Sequence, residues 1–227
     1  SPTRGIAMGG YDNSNYINNI DYITISTTGN AADFGDRTIA GGYNGGCSNA
    51  IRGLSMGGTT GSITDTIDYI TIATLGNALD FGDLTSILRN IATCASSTRG
   101  TFAGGQSPGN TNIICYTTIS SQGGANDFGD LSTTMTNSNE GVLSDNTRGI
   151  ILMGSPATIQ GTLEFITIAT TGDSSDFGEL SLKRRHTASM ASPTRGIFAA
   201  GVDDVASAKV KLIDYVTIQT KGVAVKF

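Results

Sequence analysis

Near-identical phrases return along this chain at an almost constant interval. Arg-Gly occurs at Arg4, Arg52, Arg99, Arg148 and Arg195, spaced by 48, 47, 49 and 47 residues. Asp-Phe-Gly followed by an acid begins at Asp33, Asp80, Asp127 and Asp176. Between the two runs a β-branched segment: IDYITI at 20–25 and 67–72, ICYTTI at 114–119, EFITIA at 164–169 and IDYVTI at 213–218. A repeat of this size cannot bury its apolar surface alone, so copies must stack on one another. The units run roughly 1–36, 37–83, 84–130, 131–179 and 180–227, and together form one domain spanning 1–227. In the fifth unit Phe227 aligns with Phe34, and Lys226 takes the Asp place.

Each unit divides into four short strands. Strand one precedes the Arg, strand two follows it, strand three is the IDYITI segment, and strand four enters Asp-Phe-Gly. Turn signals separate them, Ser-Pro-Thr-Arg-Gly between one and two and Thr-x-Gly-Asn-Ala between three and four. The chain has 31 Gly and shows no apolar period of 3.6, so helix is not expected. IDYITI is apolar on both alternations, which predicts burial on both faces of the sheet. The opening Ser1-Pro2-Thr3-Arg4-Gly5 matches the interior of a repeat. The chain is therefore expected to be processed or part of a longer one, with the first unit lacking strand one.

A glycine lies six residues after each Arg, at Gly10, Gly58, Gly105, Gly154 and Gly201, and another precedes it in the first three units. Here the chain resembles the kelch family, whose blades end their second strand in Gly-Gly. Tyr22, Tyr69 and Tyr215 match that family's aromatic landmarks in part, and Trp is absent. The resemblance implies an all-β fold: a five-bladed kelch-like β-propeller of four-stranded antiparallel blades. An open solenoid of the same units has the same periodicity. The wording "ASPTRG…GG…IDYITIATTGNA.DFGDL" is similar to tandem repeats in virion proteins of marine tailed phages. That likeness implies a tail-fibre, knob or capsid-appendage module at the surface of an extracellular particle.

Arg and Asp recur once per unit, which points to architecture. The expectation is that each Arg pairs with the acid of Asp-Phe-Gly, or hydrogen-bonds turn carbonyls, in its own or the next unit. Cys47 and Cys94 share a position with Leu143 and Met190 and read as core, while Cys115 replaces the Asp of Asp21, Asp68 and Asp214. A net charge of −5 without a basic stripe argues against nucleic acid. No apolar run approaches the ~18 residues that cross a membrane. His186 is the sole histidine and, beside Lys183, Arg184 and Arg185, reads as part of an exposed basic loop and not as a catalytic base. Asp12-Asn13-Ser14-Asn15 and Asp203-Asp204 lack calcium-loop spacing. No metal, cofactor or catalytic residue is expected, and the chain reads as a non-enzyme.

The units differ where function is expected. The turns after strands one and three are near-copies, whereas the two–three connections and the links between units diverge. In an antiparallel sheet these two sets lie at opposite ends, so the divergence gathers on one face. The candidate binding residues there are Tyr11, Asp12, Asn13, Asn15, Tyr16, Tyr43, Asn44, Gln106, Asn110, Asn137, Asn139, Arg184, Arg185, His186, Asp203 and Asp204. Asn, Tyr, Ser and Gly in such loops suit adaptable hydrogen bonding and stacking. The expected function is structural or adhesive, with other virion proteins or a host-surface glycan or protein as partner, in an oligomeric assembly. A free lectin-like propeller and a polysaccharide-acting enzyme are the alternatives.

Overall fold

The computed structural model describes residues 1–135, 141–154, 161–203 and 205–227. Among them the chain is all-β, without helix. The second to fifth repeats each form an antiparallel sheet with strands in the order one, two, three, four, and the fifth adds a small second sheet. The second sheet comprises Gly45–Ser48, Arg52–Met56, Thr66–Thr71 and Leu79–Asp83. The third has Ala92–Ala95, Arg99–Ala103, Gly109–Thr118 and Asn126–Met135, with a short extra strand Gln106–Ser107. The fourth has Val142–Ser144, Arg148–Leu152, Thr162–Thr167 and Ser175–Glu179. The fifth has Ala188–Ala191, Arg195–Ala199, Ile213–Thr217 and Val225–Lys226. The first has three strands, Arg4–Tyr11, Tyr16–Thr24 and Ala32–Asp36. Glu164 pairs with Asp176 as Asp68 pairs with Asp80, so the fourth repeat is in phase as LEFITI at 163–168, one residue earlier than EFITIA.

The turn before each Arg is closed by the side chain three residues upstream. Asn49 Oδ1 accepts the N–H of Ile51 and Arg52, Ser96 Oγ those of Thr98 and Arg99, Asp145 Oδ1 those of Thr147 and Arg148, and Ser192 Oγ those of Thr194 and Arg195. Short polar side chains close such turns on their own backbone.

Asp-Phe-Gly joins neighbouring sheets. Gly82 has φ 139°, and a Cβ there would stand 2.7 Å from the carbonyl carbon of Gly123 in the next sheet's three–four turn. The Gly123 N–H donates to Phe81 O and the Ala125 N–H to Asp83 O, both at 2.8 Å. The same pair of bonds recurs from Gly76, Gly172 and Gly222 and their following residues to the preceding sheet.

The recurring Arg does not pair with the acid of Asp-Phe-Gly. Its guanidinium lies over the aromatic ring of strand three, Arg99 being 4.3 Å from the Tyr116 centroid and Arg148 4.4 Å from that of Phe165. That ring meets the Phe of Asp-Phe-Gly edge-on, as in Tyr69–Phe81 at 5.8 Å. The Nη1 then reaches the next sheet: Arg4 donates to Ile72 O, Arg52 to Ile119 O, Arg99 to Ile168 O and Arg148 to Ile218 O. This is the turn-carbonyl role. The buried acids are instead those of strand three, and each is met by the Ser or Thr that follows Asp-Phe-Gly in the preceding sheet. Thr38 donates to Asp68, Ser132 to Glu164 and Ser181 to Asp214, while Thr85 Oγ1 lies 2.9 Å from Cys115 Sγ.

Every consecutive pair of sheets shares an apolar layer. Ile20, Phe34, Ile70 and Ala78 join the first and second. Met56, Ile67 and Phe81 meet Phe102, Cys115 and Ile119. Ile114, Phe128 and Leu131 meet Ile151 and Ile166. Leu163 and Phe177 meet Phe198, Val216 and Ile218. Strand three is accordingly buried on both faces in the middle sheets, as expected from its sequence. Among the described residues no such cluster joins the fifth sheet to the first. Phe177 is 2% exposed and its counterpart Phe227 80%; Ile72 is 2% exposed and its counterpart Ile25 56%.

Candidate functional site

The divergent connections do share one end of the sheets, because each described link hydrogen-bonds the two–three connection of the sheet it enters. Gly42 and Thr59 exchange N–H···O bonds, as do Arg89 and Gln106. Arg184–Arg185 pairs with Val202–Asp203, which pairs in turn with Ala208–Lys209. The chain can cross there because of the glycine after each strand two. A Cβ on Gly58 would stand 2.6 Å from Gly42 O, and one on Gly105 2.9 Å from Arg89 O.

A groove of about 940 Å³ opens on this face between the first and second sheets. Tyr11, Tyr16 and Tyr43 line it together with Ser14, Asn15 and Thr60, above Ile39 and Ala40. Tyr11 and Tyr43 are 54% and 57% exposed, and the Tyr11 and Tyr16 rings pack at 5.2 Å with a 56° tilt. The hairpin carrying Tyr11 and Tyr16 is built by Asp12, whose Oδ1 accepts the N–H of Ser14 at 2.9 Å and of Asn15 at 2.7 Å. Those N–H groups of Asn15 and Ser14 hold the Asp12 carboxyl below the usual range. Asn13 takes φ 76° and Tyr43 φ 58°, a left-handed backbone that costs a side-chain-bearing residue about 1–3 kcal/mol. The lining residues carry no formal charge.

The other candidates are placed differently. Asn44 Nδ2 donates to Ser55 Oγ at 2.9 Å and points between the sheets, away from the groove. Gln106 Oε1 accepts from Arg89 Nε at 2.9 Å, and Asn110 sits opposite it across the hairpin. Arg184 is a correction. Expected as an exposed basic residue, it is 1% exposed and pairs with Asp214 at 2.8 Å. Its remaining donors meet the carbonyls of Ala200, Phe198 and Leu182, so it braces the link and offers nothing to a ligand. Arg37 likewise pairs with Asp68, 3.1 Å away, and donates to Gly41 O, but its Nη2 is buried without a hydrogen-bond partner among the described residues. Arg185 and His186 are exposed, and Asp203 Oδ1 closes a turn on Val205 and Ala206. Asn137, Asn139 and Asp204 lie outside the described residues.

Sequence reasoning missed Ile39, Ala40 and Thr60 in the groove. Their signal is the pairing of a link with the loop it enters, which adjacency in the chain does not show. Among the described residues no three His, Cys, Asp or Glu are grouped to hold a metal ion. Comparison of the sequence with protein-family models finds no match, and comparison with curated proteins finds none.

Proposed function

We propose that the chain is a non-enzymatic adhesion module of a phage particle, in a tail fibre, knob or capsid appendage. In this reading the five sheets are blades of a kelch-like β-propeller, and the divergent face carries recognition of a host-surface glycan or protein. The face-to-face stacking and the strand order within each sheet support the blade assignment. Small-angle scattering of the chain tests it, since a straight solenoid of five sheets is longer than a propeller arc.

One observation carries the recognition reading. Loops from two sheets converge on an uncharged groove walled by three tyrosines, two of them more than half exposed. Tyr gives a large, rigid and amphipathic contact at low entropic cost, and Asn, Ser and Thr supply hydrogen bonds between the rings. A neutral sugar ring fits that chemistry. Glycan-array binding is expected from the chain, with Tyr11→Ala and Tyr43→Ala each weakening it about tenfold or more. Substitution of exposed turn residues at the opposite end, such as Thr28→Ala, leaves binding intact. Equal losses from both ends would overturn the reading. The chain is also expected as a stoichiometric component of purified particles.

A further inference from the structure

The described links between sheets each turn on a residue that has a left-handed backbone and is not glycine. Tyr43 has φ 58°, Asn90 φ 54° and His186 φ 56°. The three hold one place in the fold. Each follows a residue whose carbonyl stands over the glycine after strand two: Gly42 over Gly58, Arg89 over Gly105 and Arg185 over Gly201, where an added Cβ would lie 2.6, 2.9 and 2.6 Å away. The residue after each turns into the stack. Asn44 bonds to Ser55, and Ile91 and Thr187 are buried. The left-handed residue itself stays on the divergent end, with Tyr43 57% exposed, Asn90 half-buried and His186 exposed.

These places form a row across the stack. The Asn90 N–H donates to Tyr43 O at 2.9 Å, so these two neighbours in the row touch through their main chains. Asn139 stands four residues before Leu143, as Asn90 does before Cys94, and lies outside the described residues. Among the described residues neither the Tyr43 hydroxyl nor the Asn90 amide has a hydrogen-bond partner. Glycine takes a left-handed backbone without strain, and the chain has 31 of them, yet none occupies this place in the three described links. Asn is at home in that conformation, whereas a residue as bulky as Tyr is an outlier. Strained residues of this kind gather where side chains hold ligands.

We propose that this row is a binding path for a chain-like neutral glycan, which runs from the tyrosine groove across successive links. The proposal rests on the glycan reading of the groove. Tyr43 belongs to both, since it walls the groove and heads the row. Asn90 meets the next hydroxyls along the glycan with its amide, and His186 meets those further on. Tyr, Asn and His can each donate and accept, which suits the mixture of hydroxyls and ring oxygens on a sugar. Stacked sheets lie ~10 Å apart, close to the advance of a disaccharide unit. A polymer of sugars, and not a single sugar, therefore matches the row.

The test is calorimetric titration of the whole chain with size series of neutral oligosaccharides of glucose, mannose, galactose and N-acetylglucosamine, from the disaccharide to the octasaccharide. Within a series that binds, affinity is expected to rise about tenfold or more with length. Tyr43→Gly weakens every length about tenfold or more without lowering the urea midpoint, because glycine accepts the left-handed backbone. Asn90→Gly spares the shortest ligands and removes the gain from intermediate length onwards. His186→Gly removes only the gain of the longest. An unchanged gain with length in both Asn90→Gly and His186→Gly overturns the path and leaves the groove reading standing, as does a loss from Asn90→Gly that is equal at every length. No binding of any series up to about 1 mM overturns the groove reading and the path together.

Discussion

At the scale of single residues, the turn before each Arg shows how different side chains do one job. Asn49, Ser96, Asp145 and Ser192 each accept two backbone N–H bonds, and only Asp145 titrates. Burial opposes its ionisation, but the Arg148 N–H, the Gln219 amide and the N–H and O–H of Thr147 outweigh that and hold the carboxyl below the usual range. A depressed folded value stabilises the protein above the unfolded carboxyl pKa of ~3.9 and is lost as pH falls through the folded value. Asp145→Ala is therefore expected to cost about 1 kcal/mol at pH 7 and progressively less below about pH 4, whereas Asp145→Asn is nearly neutral at pH 7. Urea melts at the two pH values read this directly. Ala200 is a second informative position. It takes φ 58° where Gly9, Gly57 and Gly104 take 67°, 60° and 62°. Ala200→Gly is expected to stabilise the chain by about 1 kcal/mol, seen as a rise in the urea midpoint at unchanged m-value. Burial pushes the Cys94 thiol up to about 11, whereas Met190, at the same place in the fifth unit and expected in the core, is 61% exposed.

At the scale of the element, each sheet is tied to the next by the same few groups, so the same residue type has different value by position. Arg99 lies over Tyr116 and donates to Ile168 O and Ala169 O of the fourth sheet. Arg195 lies over Tyr215, 4.8 Å from its centroid, and has no hydrogen bond to a further sheet among the described residues. Arg99→Ala is expected to cost about 2–3 kcal/mol and Arg195→Ala about 1 kcal/mol or less, measured by chemical denaturation. Equal costs would mean that the stacking alone, and not the bridge between sheets, is what the Arg supplies. The links show the same dependence on position. Arg37 and Arg184 occupy different places in their links, yet each ends beside the strand-three Asp of the following sheet. Among the described residues Cys115 and Glu164 have no such cation, and Glu164 takes instead the Ser132 N–H and the hydroxyls of both Ser132 and Ser174.

Across the whole molecule, burial rises from the ends to the middle. Arg99–Ala103 and Arg148–Leu152 are packed on both faces, while Arg4–Tyr11 has no fully buried residue. In a stack where each repeat touches only its neighbours, stability is a sum of unit and interface terms. Amide exchange is therefore expected to be slowest in strands two and three of the third and fourth sheets, and fastest in the first and fifth. Uniform protection would show that the two end sheets are covered in solution. The exposed apolar side chains Ile23, Ile25, Met190, Ile213 and Phe227 are the surfaces such a cover would bury.

Much of this was legible in the amino-acid order. The period gave five units, the β-branched runs gave strands, and the glycines gave turns, because each of these follows from local chemistry. The end of the sheets on which divergence gathers followed from antiparallel order alone. The partner of each recurring Arg did not, since the carbonyl it reaches lies in the next sheet, 70 residues along the chain for Arg99 and Ala169. Nor did the burial of Arg184, which looked like part of an exposed basic run until Asp214 was placed beside it. The groove and the value of each charged group were decided only by how one sheet lies on the next, because a side chain's partners across a stacked face are set by packing and not by neighbourhood in sequence.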